Sequence, residues 1–350
     1  MLDAMSVVSK FRSKTVSARL AVLAIAFFSV GYLLACQVPV FRYALERWPA
    51  DPYELRVPAE MMNSAAVSIL KESEKSNLRL IESTGDAKQA ELFHARQTDP
   101  ASIPVWKGVL TDETAGALLQ SPVRQTLVEK VLSGESVIWV LIPGKNAEAN
   151  EGIREVLDTT LARAEQVIQI PEGVVTEGDD LATSNFSGDP EDIVSADIPL
   201  KIAFSVLELQ HDDPAETILL NTLLSIEDDL HDLVDQPMVF PVFGRGRFLE
   251  PMIGKGISES NILDYSAYLC GACSCEVKEG NPGMDLLITA DWSGADEATV
   301  TTLTKAAEPV PETVEIKGTE EESDTMRSLA LGVVIALLLI GGLYFFIRKE

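Results

Sequence analysis

Residues 135–169 read ESVIWVLIPGKNAEANEGIREVLDTTLARAEQVIQ, and this stretch decides the fold class. Its run VIWVLI, 137–142, is six apolar residues without a polar interruption, the pattern of a strand covered on both faces. A strand with one face in water would alternate instead. A long helical pattern from about Ala147 to Gln169 follows. Just upstream, Ser121 is an N-cap and Pro122 occupies the first helical position, so a helix runs to about Leu132 and stops at Gly134.

Working outward, the same alternation recurs. Phe41 to Trp48 reads as a short helix ended by Pro49, with a strand at 53–57, an amphipathic helix at 62–75 and a strand at 78–82 (LRLIE). Residues 172–197 carry eight acidic residues and no basic one, among scattered Gly, Ser and Pro, and read as a flexible connection. The pattern then restarts with a strand at 200–209. A helix capped at Asp213-Pro214 follows and runs to about Val234. The next strand, 238–243 (MVFPVF), carries Pro241, which points to an edge or a bulge. A capped helix from Ser258, a Pro-Gly turn at Pro282-Gly283 and an apolar strand from Leu286 to Ala290 close the unit. Alternating strands and helices predict an α/β protein with a partly parallel sheet. The expected layout is two small α/β domains, 42–171 and 198–293, joined by 172–197, and two thioredoxin-like domains fit that order.

The ends differ from the middle. Residues 20–41 (LAVLAIAFFSVGYLLACQVPVF) and 328–347 (SLALGVVIALLLIGGLYFFI) contain no charge, and each is long enough to cross a bilayer as a helix. Lys10, Arg12, Lys14 and Arg19 precede the first run, and Arg348 and Lys349 follow the second. The positive-inside rule then puts 1–19 and 348–350 in the cytoplasm and 42–327 on the extracytoplasmic side of a bacterial membrane, with 294–327 an acidic stalk. Arg327 and Lys317 compete with the second basic pair, but an even number of spans keeps both ends consistent. Leu33-Leu34-Ala35-Cys36 also resembles a lipobox, so an uncleaved anchor, a cleaved signal peptide and a lipoprotein signal with lipidated Cys36 all fit 1–36. Each alternative exports the middle.

The 350 residues carry a net charge of −26, and the isoelectric point is about 4.4. Such an acidic surface repels phosphate backbones and excludes nucleic acid as a partner. The membrane and a protein of the cell envelope are the partners expected instead.

Three segments are distinctive: CQVPVFRYALERW (Cys36 to Trp48), FPVFGRGR (Phe240 to Arg247) and CSCEVKEGNPGMDLLITADW (Cys273 to Trp292). They resemble an uncharacterised family of bacterial exported or membrane-anchored proteins with a Cys-x-Val-Pro-Val-Phe-Arg motif and a later Cys-Ser-Cys. The resemblance implies export and makes Cys36, Cys273 and Cys275 the family's cysteines, with Cys270 particular to this chain. It brings no activity with it.

Chemistry centres on Cys270, Cys273 and Cys275. Cys270-Gly-Ala-Cys273 has the spacing of dithiol oxidoreductases, whose attacking cysteine sits at a helix N-terminus where the dipole favours thiolate. Here the helix from Ser258 runs into the motif and puts Cys270 at a C-terminus, which disfavours thiolate. Three thiolates can instead share Zn²⁺ or Cu⁺ with a fourth ligand from elsewhere. Plain buried thiols or a structural disulfide among Cys36, Cys270, Cys273 and Cys275 are the third reading.

A weaker metal candidate is His231 with Asp235, at i,i+4 in the acidic run from Glu227. Arg245, Arg247 and Lys255 form a basic patch that can meet this acidic run or an anionic partner. The glycines around them lack phosphate-loop spacing. His94 reads as an ordinary surface or core histidine. The expected function is a membrane-anchored extracytoplasmic structural or binding module rather than an enzyme, with a thiol–disulfide oxidoreductase or metal-binding protein built on the cysteine cluster as the alternative.

Overall fold

All six residues of the run Val137–Ile142 are fully buried, and the fold is arranged around that strand. The computed structural model describes residues 37–84, 87–94, 103–172, 174–176, 193–194, 196–273 and 277–295. The first part holds α1 (Val40–Arg47), β1 (Tyr53–Val57), α2 (Ala65–Glu72), β2 (Leu78–Glu82), β3 (Ala90–His94) and β4 (Trp106–Gly108). Then come α3 (Asp112–Leu119), α4 (Pro122–Leu132), β5 (Val137–Ile142), α5 (Ala147–Val167), β6 (Val175–Thr176) and β7 (Ile193–Val194). The last part holds β8 (Phe204–Glu208), α6 (Thr217–Leu224), β9 (Met238–Phe243), β10 (Arg247–Phe248), β11 (Met252–Ile253), α7 (Glu259–Cys270) and β12 (Met284–Asp285). The protein is α/β, as expected.

The larger sheet has the order β12-β10-β9-β5-β8, with β11 also beside β9. β5 runs parallel to β8 and antiparallel to β9. Val137, Trp139 and Leu141 face a layer that includes Leu157 and Leu161 of α5, Ile262 and Leu269 of α7, and Phe41 and Tyr43 of α1. Ile138, Val140 and Ile142 face Leu127 and Val131 of α4 and Leu219 and Leu223 of α6. Alternate side chains of one strand thus serve two helical layers. The boundary expected at 172–197 does not divide the strands, because β5 from the first segment pairs with β8 and β9 from the second. All the described residues fall within one compact unit, Met1–Thr301.

A smaller sheet, β2-β1-β3-β4, buries Tyr53, Leu55, Val57 and Leu92 against Val67 and Leu70 of α2 and Leu118 of α3. The segment 286–290, expected as a strand, forms no ladder of its own and bridges the two cores. Leu286 and Ile288 enter the core of the large sheet and Leu287 that of the small one. Asn77 fastens the bridge: its backbone and amide nitrogens donate to Ile288 O and Leu286 O, while its Oδ1 accepts from Ile288 N.

Three further expectations are corrected. Pro241 lies in an interior strand, opposite Trp139 of β5. Its carbonyl accepts from Leu249 N, so its nitrogen points to the same side, where β10 has ended and β11 has not begun. No ladder partner is lost there. The helix expected to reach Val234 ends at Leu224, where Ser225 caps it. Residues 37–41, placed at the end of an apolar span, belong to the folded unit instead: Val38, Val40 and Phe41 are core residues. Among the described residues no helix is long and apolar enough to cross a membrane. The apolar runs 20–36 and 328–347 lie outside the described residues.

A buried charge pins the two cores together. Arg124 in α4 donates to Leu118 O and Leu287 O, at 2.9 and 3.0 Å. Glu216 accepts from Ser121 Oγ at 2.6 Å and from Val123 N at 2.7 Å, and its charge faces that of Arg124. Removing the carboxylate leaves a buried guanidinium uncompensated, so Glu216→Ala should cost about 3–5 kcal/mol. Chemical denaturation of the variant beside the parent measures that loss.

Candidate functional site

The three distinctive segments meet in space, and the meeting point is α1. Its buried residues run from Val40 through Glu46 without a break, so it is a core helix. Its entry is tied by an antiparallel bridge, Pro39 opposite Ala272, with Val40 N donating to Gly271 O at 3.0 Å and Cys273 N to Val38 O at 2.9 Å. Its exit is capped by a cation. Arg245 Nε donates to Leu45 O at 2.7 Å and Nη2 to Glu46 O at 3.0 Å, where the helix dipole presents unsatisfied carbonyls. The turn that delivers Arg245 needs glycine. Gly244 has φ +57°, and a Cβ there would stand 2.7 Å from the Ala44 Cβ.

On its flank, Arg42 and Glu46 form a buried i,i+4 pair at 2.6 Å. The pair grips one residue of the acidic connection: Arg42 Nη2 donates to Ala196 O at 2.8 Å, and Glu46 Oε1 accepts from Ala196 N at 3.3 Å. Burial lowers the Arg42 pKa, while Glu46 raises it.

Beyond α1 the chain enters a second charged cluster that the sequence did not announce. Asp285 accepts from Arg247 Nη1 at 3.2 Å, from Lys278 Nζ, and from Asp51 N at 2.6 Å. Lys278 Nζ also reaches Asp51 Oδ1 at 2.9 Å. Arg247 spends its other nitrogens on Pro282 O and Asn281 O, and its guanidinium lies 5.6 Å from the ring centre of Trp48. Two cations and two carboxylates leave no net charge, which is what lets so many ionised groups stay largely out of water. The sequence offered Arg245, Arg247 and Lys255 as a basic patch able to meet the acidic run from Glu227 or an anionic partner. Arg245 and Arg247 are tied to backbone carbonyls and core residues instead; Lys255 is the exposed member.

The cysteines divide. Cys36 and Cys275 lie outside the described residues. Cys270 is the last residue of α7 and is wholly buried, and Cys273, three residues on, is 1% exposed in the same core cluster. Cys270 therefore stands at the helix end that disfavours thiolate. Burial pushes its thiol up to about 12, against a smaller opposing effect from a hydrogen bond with Ser136.

His231 and Asp235 are exposed and share no helix, because the chain turns into a short 3₁₀ segment, Leu230–Asp232, after α6 has ended. Asp235 pairs with Lys145 at 2.5 Å. Among the described residues no group of three or more His, Cys, Asp and Glu side chains could hold a metal ion. His94 is a core histidine, edge-on to Tyr53 at 5.0 Å.

No protein-family model matches the chain, and neither a curated protein nor a solved structure is significantly similar to it.

Two outcomes follow from this geometry. Gly244→Val forces a branched side chain into the left-handed region against α1 and should cost about 2–4 kcal/mol in a denaturant melt. For Cys270, both folded and unfolded states hold the thiol proton below about pH 9, and the stability due to burial is fully present there. As pH rises from about 9 towards about 12, the unfolded chain releases that proton while the folded chain keeps it, so stability falls. Urea melts across this window should show a shallower alkaline loss for Cys270→Ala than for the parent.

Proposed function

We propose that this chain is a membrane-anchored structural or binding module on the extracytoplasmic side of a bacterial envelope. Apolar runs at 20–36 and 328–347 anchor it, and its partner is another envelope protein. The observation that carries this reading is the way α1 is sealed into the core. The first apolar run ends one residue before Gln37, and Val38 is already fully buried, so the folded unit starts where the anchor stops. The distinctive segments are consumed in that junction: Arg245 caps α1, Arg42 and Glu46 hold Ala196, and Lys278 reaches Pro49 O and Asp51. Residues used this way shape a fold rather than turn over a substrate. The resemblance to exported bacterial proteins agrees with the same location.

A thiol–disulfide oxidoreductase is the less favoured reading. Such an enzyme attacks with an accessible, low-pKa thiolate at a helix N-terminus. Cys270 is buried, stands at a C-terminus and has a raised pKa.

Labelling in intact bacterial cells tests the topology. A cysteine introduced at exposed Glu113 should react with a membrane-impermeant maleimide in whole cells, while one at Ser6 should react only after lysis. Protection of the Glu113→Cys chain until lysis would overturn the extracytoplasmic assignment.

A further inference from the structure

Lys278 stands between two carboxylates in a site that admits little water. Its Nζ donates to Asp51 Oδ1 at 2.9 Å and also to Asp285 Oδ2 and to Pro49 O. The side chain of Asp285 is 3% exposed, whereas that of Asp51 is 20% exposed. Asp285 is the more firmly held acid. It is the register partner of Arg247 in the β10–β12 pair, and Arg247 Nη1 donates to its Oδ1 at 3.2 Å. Asp51 N donates to its Oδ2 at 2.6 Å, and the OH of buried Tyr53 donates to its backbone carbonyl at 2.7 Å.

This arrangement contains the parts of an amide-forming reaction. An amine and a carboxyl group condense slowly in water because they must first meet and be oriented. Holding both in contact within one chain removes that requirement. Burial favours neutral groups over separated ions. A guanidinium fixed on the carboxyl oxygen where negative charge will gather is a preorganised stabiliser. A second carboxylate within hydrogen-bond reach of the nitrogen is a positioned general base.

We infer that Lys278 Nζ and Asp285 Cγ are joined by an isopeptide bond that the chain forms by itself, with Asp51 as proton carrier. The Lys278 ammonium first passes one proton to Asp285 Oδ2, leaving a neutral amine and a carboxylic acid. The amine electron pair attacks Cγ, and negative charge gathers on Oδ1 against Arg247. Asp51 Oδ1 takes a proton from the nitrogen and returns it to the hydroxyl at Oδ2, which leaves as water. One C–N bond forms, one C–O bond breaks, no atom is oxidised or reduced, and Asp51 ends as it began. The new amide keeps one N–H, and Pro49 O is beside it as an acceptor. One cation and one carboxylate disappear together, so Arg247 and Asp51 still balance. The step needs no oxidant, cofactor or particular compartment, and it stands independently of the location proposed above.

Tryptic mapping of the full chain isolated from bacterial cells, denatured, reduced and alkylated, tests the inference. Trypsin does not cut after an acylated lysine. The expected product is therefore one peptide spanning 256–305, lighter than its sequence by one water, with fragmentation placing the link between Lys278 and Asp285. Asp51→Asn removes the base at nearly constant shape and should leave most chains unlinked, while Asp51→Glu should recover the link in part. Peptides 256–278 and 279–305, or an uncut 256–305, all at full mass in the parent, would mean an ion pair only and overturn the bond. The parent map decides this whether or not the variants fold. A link from Lys278 to Asp51 would overturn the choice of acceptor. A link that forms completely in Asp51→Asn would overturn the role of Asp51.

Discussion

A strand that is apolar on every residue must be covered on both faces, and β5 imposes that demand on the whole molecule. One helical layer combines α4, from before the strand, with α6, from after it. The opposite layer requires α5, α7 and α1, and the sheet itself is completed only by β8, β9 and β10. No division of the chain near 172–197 could meet the demand, since each half would keep an uncovered face or an unpaired edge. The apparent restart of the strand–helix pattern after residue 197 is the same sheet being finished rather than a second one begun.

Charge follows the same economy. The chain carries a large negative excess, yet its buried ions are arranged in nearly balanced groups: Arg42 with Glu46, Arg124 with Glu216, and Arg247 and Lys278 with Asp285 and Asp51. Several of the scarce basic side chains are placed where a carboxylate or an orphan carbonyl would otherwise be costly. The acidic excess is left for the surface, where it favours solubility.

Local elements were readable because their signals are local. Ser121-Pro122 opened α4, VIWVLI gave β5, and the cap at Ser258 opened α7. Errors arose where the deciding contact was distant. Pro241 is tolerated because of where two short strands end, which no window around MVFPVF reveals. The acidic run after Leu224 kept a helical pattern, but like charges near a helix C-terminus oppose the dipole, and the helix stops short of them. Of the candidate site, the sequence pointed correctly to Cys270 at a helix C-terminus. It gave no sign of Lys278 and Asp285, whose roles depend on Asp51, a residue more than two hundred positions earlier.

That separation has a kinetic side. Tyr53 OH donates to the Asp285 carbonyl across 232 positions, and Asp51 N reaches the Asp285 side chain across 234. Loop closure of this length is slow compared with local helix formation. A chain emerging from its N-terminus would expose α1 and β1 long before β10, β12 and the 271–273 segment arrive to receive them. During that interval the apolar residues of α1 have no core to enter. An aggregation-prone intermediate with an open sheet edge is the expected companion of synthesis until residues 247–288 have emerged.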